Sequence, residues 1–479
     1  MLFNSIAFII FLPLVFLLHW FIVKKTKASQ NILLLIASYF FYASWDWRFL
    51  FLLLFSTGLD YFSGIQIHDA TNISKKKFWL CLSIIANLGF LGIFKYFNFF
   101  VHSFHQLLSN FGLETNTWSL NIILPIGISF YTFHGLSYVL DIYYSKIKPE
   151  KSGVDYALFV SFFPLLIAGP IERATHLLPQ LKQKRIFNYE KAVTGLRQML
   201  WGFFKKIVIA DLCANYVNLI FDSSVQHTGS TYFIGAFLFA FQIYCDFSGY
   251  SDIAIGTAKL FGIDLLRNFS YPYFSRNIAE FWRRWHISLS SWFRDYLYIP
   301  LGGSRNGPTK TIRNIFIIFI VCGFWHGANW TFIAWGFLNA LYILPSVILK
   351  TNRNYLNIVA TESRRVTLEE ISSIIITFLL TVLAWIFFRA ENIHQALAIF
   401  SKIFSSSLFS FPLYLPKTIL ILIIFLIYVE WIGRKQDFAI EKLFLTQSKY
   451  LRISFYYSLI FLILFFLQSE PKEFIYFQF

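Results

Sequence analysis

His326 sits in the middle of IFIIFIVCGFWHGANWTFIAWGFL (315–338), a run with no Lys, Arg, Asp or Glu. A run of that length can cross a bilayer. An ionisable side chain at membrane depth is costly, and by default it marks a function and faces a protein interior or a wet cavity. Gly323, Gly327 and Ala328 leave room for a substrate or another backbone to come close. The plainer alternative is a histidine that hydrogen-bonds a neighbouring helix, and the run alone does not separate the two. Cys322 shares a helix face with His326. A small packing residue is the plainer reading of that thiol, a nucleophile the sharper one. A second histidine, His286, lies in IAEFWRRWHISLSSWFRDYLYIPLGGSRN (278–306). Imidazole takes and returns a proton near neutral pH, so both residues suit proton transfer.

Around His286, Trp282, Trp285, Leu289, Trp292 and Tyr296 recur at helical spacing, with Arg283, Arg284, Arg294 and Asp295 between them. The pattern predicts one amphipathic helix lying at the membrane interface. Spacing alone favours a simple anchor with snorkelling arginines. The functional reading is a lid over a chamber, with His286 pointing inward and the arginines meeting an anionic ligand. Arg305, Lys310, Arg313 and the LGGSRNG turn would add to a phosphate site. Upstream, CDFSGYSDIAIG (245–256) places Asp246 and Asp252 in apolar surroundings. Buried acids need partners. Structural pairing is the plainer role; orienting the histidines or binding the lid's arginines is the other.

The elements that must position these residues are membrane helices. Of 479 residues, 57% are hydrophobic and 14% charged, far too apolar for a soluble domain. The expected class is all-α: a polytopic integral membrane protein of roughly 11–13 helices, some broken or re-entrant. The candidate spans are 5–23, 31–44, 48–65, 78–100, 120–144, 155–170, 196–221, 231–262 (broken), 314–329, 330–349, 371–388, 418–432 and 453–468. One membrane-embedded domain, 1–479, is the simplest partition. The net charge of +16 fits basic cytoplasmic loops, and no nucleic-acid motif accompanies it. Clusters at Lys24, Lys25 and Lys27, at Lys75–Lys77, at Lys146, Lys148 and Lys151, and at Arg434 and Lys435 share one side if both termini lie outside. The N-terminal apolar run has no basic region before it and no cleavage site, so it predicts a first helix, not a signal peptide. The four cysteines lack CxxC spacing, which argues against a zinc site or disulfide framework; no metal ligand set is expected.

Long motifs then carry a resemblance: LPIGISFYTFHGLSYVLDIY (124–143), FFPLLIAGPIER (162–173), DFSGYSDIAIG, FWRRWHISLSSWFRDYLYIPLGGSR, CGFWHGANWTFIAWG (322–336), the initial MLFNS and the terminal FIYFQF. Together these resemble the membrane-bound O-acyltransferases, in the branch of the bacterial alginate and peptidoglycan O-acetyltransferase membrane subunits. The resemblance spans nearly the whole chain. It implies a ring of helices around a central funnel, in a bacterial inner membrane. It implies O-acetylation of an exported polysaccharide, such as alginate or peptidoglycan. Acetyl-CoA would be the donor substrate rather than a bound cofactor, and an extracytoplasmic SGNH-type acetyltransferase the partner, with lipids around. It implies His326 and His286 as the catalytic pair, and Trp285 and Asn329, beside them in the same motifs, at the substrate.

A hydroxyl acceptor must lose its proton during attack. Neutral imidazole suits this, and an apolar chamber favours the neutral form. His326 is therefore expected to be the general base, worth ~10²–10⁴-fold in rate, with His286 orienting the donor or stabilising the oxyanion. Arg283, Arg284 and Arg294 would hold the donor's phosphates. The tail 470–479 is expected outside the cytoplasm. Its FxYxxF pattern, Phe474 to Phe479, resembles the C-terminus of the small partner peptide of teichoic-acid D-alanylation. That suggests Tyr476 as an acyl relay; an interfacial aromatic tail is the plainer reading. A lipid or protein acyltransferase is the alternative within the family. A proton-coupled transporter is the alternative outside it, for which no internal repeat is evident.

Overall fold

A computed structural model describes the chain except residues 24–25, 114–118, 121–122, 168, 361–365, 469–471 and 478–479. Lys24 and Lys25 of the first basic cluster and Phe479 of the tail pattern therefore lie outside the described residues. Among the described residues there is no strand; helices and turns make up the fold. Among the described residues, six helices are long and apolar enough to cross a membrane. Their outward faces carry side chains such as Phe51, Ile85, Ile375 and Phe461, each more than half exposed. Such faces are stable only against lipid. The chain divides into two compact units, Met1–Lys191 with Ala258–Leu266, and Ala192–Thr257 with Arg267–Phe479. The sequence suggested a single embedded domain.

The first unit holds the helices Lys27–Ala43, Arg48–Asp69, Ile73–Leu91 and Ile128–Tyr143. The last three are pinned by buried polar groups. Asp60 Oδ1 accepts from Ser83 and Asn87 at 2.7 and 2.8 Å, and its other oxygen lies where a Cβ on Gly135 would have to go. A buried polar group that finds all its partners fixes helix register. The expected span 155–170 does not cross. Gly153–Ser161 ends at Phe162, Phe163–Leu166 is a single turn, and Ala174–Leu181 leads back. At about 1.5 Å per residue neither longer piece reaches half of a ~30 Å core. The two ends meet: Lys182 Nζ lies 2.6 Å from Glu150 Oε2, and Asn31 Nδ2 donates to Asp155 Oδ1 and to Leu181 O, both at 2.8 Å. The segment is re-entrant.

The second unit is organised by Gly229–Leu260, whose most apolar stretch is 78% buried. This helix is continuous, where the sequence suggested a break. Its glycines serve close packing: a Cβ on Gly249 or Gly256 would strike the backbone carbonyl of Gly202 or Gly195. Pro308–His326 and Trp330–Ile348 form a tight hairpin, because Gly323 and Gly336 bring the two backbones together. His326 is the last residue of the first arm. Leu368–Arg389 packs against the second arm, with Trp335 and Trp385 stacked at 5.5 Å.

Candidate active site

His286 and His326 meet in the second unit. Their ring centroids are 6.3 Å apart, and the residues are 1% and 3% exposed. His326 lies edge-on to Trp335 at 5.2 Å and 5.3 Å from Phe388. The stretch expected to form one lid helix is instead two short helices, Ile278–Arg284 and Ile287–Phe293, followed by a wider π-helical turn, Arg294–Tyr298. His286 stands at the break with φ +42°, a left-handed conformation that non-glycine residues seldom adopt. Such strain persists only where the surroundings enforce it. Here residues 268–270 enforce it: Ile287 N–H donates to Asn268 O at 2.8 Å and Ser270 N–H to Arg284 O at 3.0 Å. Asn268 is itself held by Ser251 and Ser288, at 2.9 and 2.5 Å. The kink turns the imidazole inward onto Phe247, at 4.6 Å. Neither ring nitrogen of His286 has a partner among the described residues. Burial pushes its pKa down to about 3, so it is neutral at physiological pH.

The C-terminal tail enters the same place. Tyr476 lies 5.4 Å from His326, 6.5 Å from His286 and 4.8 Å from Phe247, ring to ring. Its hydroxyl is buried without a partner among the described residues, and burial pushes the phenol well above its ordinary range. Asp246 and Lys206 seat the tail. Ile475 N–H donates to Asp246 Oδ2 at 2.7 Å, while Lys206 Nζ lies 2.7 Å from Asp246 Oδ1 and 3.0 Å from Asp211 Oδ1. Lys206 also donates to Glu473 O at 3.3 Å, and Lys472 to Asp211 O at 3.1 Å and to Asn215 Oδ1. Phe474 is fully buried, 4.7 Å from Tyr250.

The other expected site residues fall elsewhere. Asp252 is 2.6 Å from Lys205, so both acids pair with lysines and not with the arginines of the 278–306 segment. Arg284 is tied to the buried Glu280 at 2.7 Å, and Arg276 holds the same carboxylate at 3.1 Å. The Arg284 guanidinium also donates to Ser270 O at 3.2 Å, beside the kink. Arg283 donates to the carbonyls of Asn352 and Tyr355 at 2.7 and 2.8 Å. Arg294 pairs with Asp295 at 2.8 Å and is largely exposed. Trp285 is buried in an aromatic cluster, 5.0 Å from both Phe269 and Trp385. Asn329 caps Trp330–Ile348 through Thr331 N–H at 3.0 Å. It also lines a cavity of about 590 Å³ with Phe332, Phe388, Arg389 and Asp222. Through Phe388 that cavity adjoins His326. Lys205, Lys206, Asp211, Glu280 and Asn268 are the residues sequence reasoning passed over. The available signal was Lys205–Lys206 inside the apolar stretch 196–221.

The arrangement is a buried aromatic cluster holding two imidazoles and one phenol. It can move a proton between a hydroxyl and an imidazole, and among the described residues no His, Cys, Asp and Glu cluster could hold a metal. The family model for "MBOAT, membrane-bound O-acyltransferase family" matches residues 150–388. The chain is 40% identical over 413 residues to "Probable alginate O-acetylase AlgI" of Pseudomonas aeruginosa, covering 85% of this chain and 75% of that one. It is 40% identical over 429 residues to "Peptidoglycan O-acetyltransferase" of Helicobacter pylori, covering 83% and 79%. A more distant relative is "Teichoic acid D-alanyltransferase" of Bacillus subtilis, 28% identical over 286 residues, covering 57% and 71%. The chain belongs to the membrane-bound O-acyltransferase family and is an O-acyltransferase of the membrane.

Proposed function

We propose that the chain passes an acetyl group from cytoplasmic acetyl-CoA across a bacterial inner membrane for O-acetylation of an exported polysaccharide. The relatives named for alginate and peptidoglycan acetylation support that acceptor class. The observation that carries the mechanism is the placement of Tyr476, an unpartnered buried hydroxyl beside two imidazoles. His326 takes the phenol proton as the Tyr476 oxygen attacks the thioester carbonyl, His286 stabilises the oxyanion, and coenzyme A leaves as the thiol. The resulting acetyl-tyrosine passes its group to a hydroxyl of the polymer through an SGNH-type partner. Thiols, with a pKa near 8.5, and phenols, near 10, are both far better leaving groups than sugar hydroxyls. Each step is therefore level or downhill. Arg294, exposed, and Arg283, at the rim, are assigned to the donor's phosphates. The 590 Å³ cavity with Asn329 is assigned to the acceptor side.

The basic loops are placed in the cytoplasm. With those loops inside, both termini are assigned to the outside, which requires an even number of crossings. The test is reconstitution in liposomes with labelled acetyl-CoA. Acetyl transfer to the chain or to an added polymer is expected from wild type and is lost in His326→Ala at equal insertion. Transport of a solute without acetyl transfer would contradict the reading.

A further inference from the structure

His286 stands in a backbone conformation that its own helices do not hold, and one side chain ties that conformation to the rest of the site. Asn268 is fully buried, and its amide uses both of its polarities. Nδ2 donates to Ser251 Oγ at 2.9 Å, and Oδ1 accepts from Ser288 Oγ at 2.5 Å. Its backbone carbonyl accepts from Ile287 N–H at 2.8 Å. The three bonds reach Gly229–Leu260 on one side and, on the other, the first turn of Ile287–Phe293, directly after the break. An amide suits this place because it donates to one hydroxyl and accepts from another.

Ser251 lies one turn after Phe247 on the same face of Gly229–Leu260. The Phe247 ring packs on both groups of the mechanism, 4.6 Å from His286 and 4.8 Å from Tyr476, ring to ring. One residue earlier, Asp246 accepts from Ile475 N–H and so holds the tail that carries Tyr476. The stretch 246–251 therefore locates the tyrosine through Asp246 and the imidazole through Ser251 and Asn268. A left-handed histidine is strained, and strain that is not enforced relaxes. On relaxing, the imidazole turns off Phe247 and away from Tyr476.

We propose that Asn268 is a positioning residue for acyl transfer: it keeps His286 in the left-handed kink, and so keeps the imidazole in register with the Tyr476 oxygen. This rests on the oxyanion role given to His286 above. Asn268 reaches the reaction only through His286, so its effect falls on turnover and not on donor binding. Misplacing a group by about 1 Å can slow a reaction ~10²-fold.

The test uses the full chain in membrane vesicles from the cells that make it, with the coenzyme A thiol released from acetyl-CoA as the readout. Asn268→Leu keeps the bulk of the side chain and removes both of its hydrogen bonds. It is expected to lower kcat by about 10–10²-fold at an unchanged KM for acetyl-CoA. His286→Gly removes the imidazole and keeps the left-handed backbone without strain. In that background Asn268→Leu is expected to have no further effect on kcat. Diethyl pyrocarbonate, which modifies accessible imidazoles, is expected to modify His286 faster in Asn268→Leu than in wild type while His326 stays protected. That pattern separates a released kink from an unfolded site. Ser251→Ala removes only the Nδ2 bond; it carries the same comparisons, with a smaller drop, if Asn268→Leu does not insert. A wild-type kcat with His286 still protected, or an equal slowing with and without the His286 side chain, overturns the proposal while the oxyanion role stands. Full turnover by His286→Gly overturns that role itself, and the positioning role with it.

Discussion

Tyr476 and His326 stand 5.4 Å apart, ring centroid to ring centroid, and the tyrosine hydroxyl is buried with no partner among the described residues. An unpartnered buried hydroxyl costs about 1–3 kcal/mol. Tyr476→Phe removes that cost and keeps the ring. The variant is expected to fold with equal or slightly greater thermal stability while polymer acetylation in cells drops by ~10²-fold or more. A variant with full acetylation would leave direct transfer through His326 as the mechanism.

Asp246 accepts from the tail and is ion-paired with Lys206 at once. Asp246→Ala breaks a buried ion pair and frees the Ile475 N–H, at a cost of about 3–5 kcal/mol. Asp246→Asn keeps an acceptor for that N–H and is expected to retain more activity. Hydrogen exchange at the Ile475 amide should rank wild type slowest, Asn intermediate and Ala fastest. Equal exchange in all three would mean that Asp246 does not seat the tail.

Glu280 is shared by Arg276 and Arg284, with its side chain 1% exposed. Glu280→Gln leaves the buried Arg284 without its counter-charge, while Arg276 keeps Glu370 at 3.0 Å, so a loss of about 3–5 kcal/mol and a lower melting temperature are expected. Arg294→Gln, in an exposed pair with Asp295, should change stability by less than ~1 kcal/mol. If Arg294 meets the donor, this variant raises KM for acetyl-CoA about tenfold or more at unchanged kcat. An unchanged KM removes Arg294 from the donor site.

The His286 pKa is lowered from 6.5 to about 3 in the folded protein. Between those values the unfolded chain binds a proton that the folded chain does not, so stability falls as pH falls below 6.5. The slope from this group approaches about 1.4 kcal/mol per pH unit. His286→Asn, which tolerates the left-handed backbone, should flatten the acid limb of the melting-temperature profile by that one-proton amount. Parallel profiles for the two proteins would show that His286 is protonated when folded.

The apolar runs made the membrane fold legible, because helix length against bilayer thickness is a local property. The His326 motif and the tail tyrosine were legible for the same reason: each is an isolated functional group in an apolar stretch. Three features were not. The 155–170 run is as apolar as a span, and only the pairing of Lys182 with Glu150 and of Asn31 with Asp155 and Leu181 shows that it returns. The aromatic stripe at 282–296 reads as one helix because no Gly or Pro marks the break; the strain at His286 is enforced by Asn268 and Ser270, outside the stripe. The partners of Asp246 and Asp252 are lysines 40 and 47 residues away, and the tail reaches Lys206 across 267 residues. Pairings at such separation leave no periodic trace.

The most direct test of the central claim is mass spectrometry of the C-terminal peptide after the membrane-inserted protein meets acetyl-CoA with no acceptor present. The account predicts one acetyl group on Tyr476 in wild type, none in His326→Ala, and its discharge when the polymer and its extracytoplasmic partner are added. Turnover of acetyl-CoA into polymer with an unmodified Tyr476 at every time point, and undiminished in Tyr476→Phe, would contradict it.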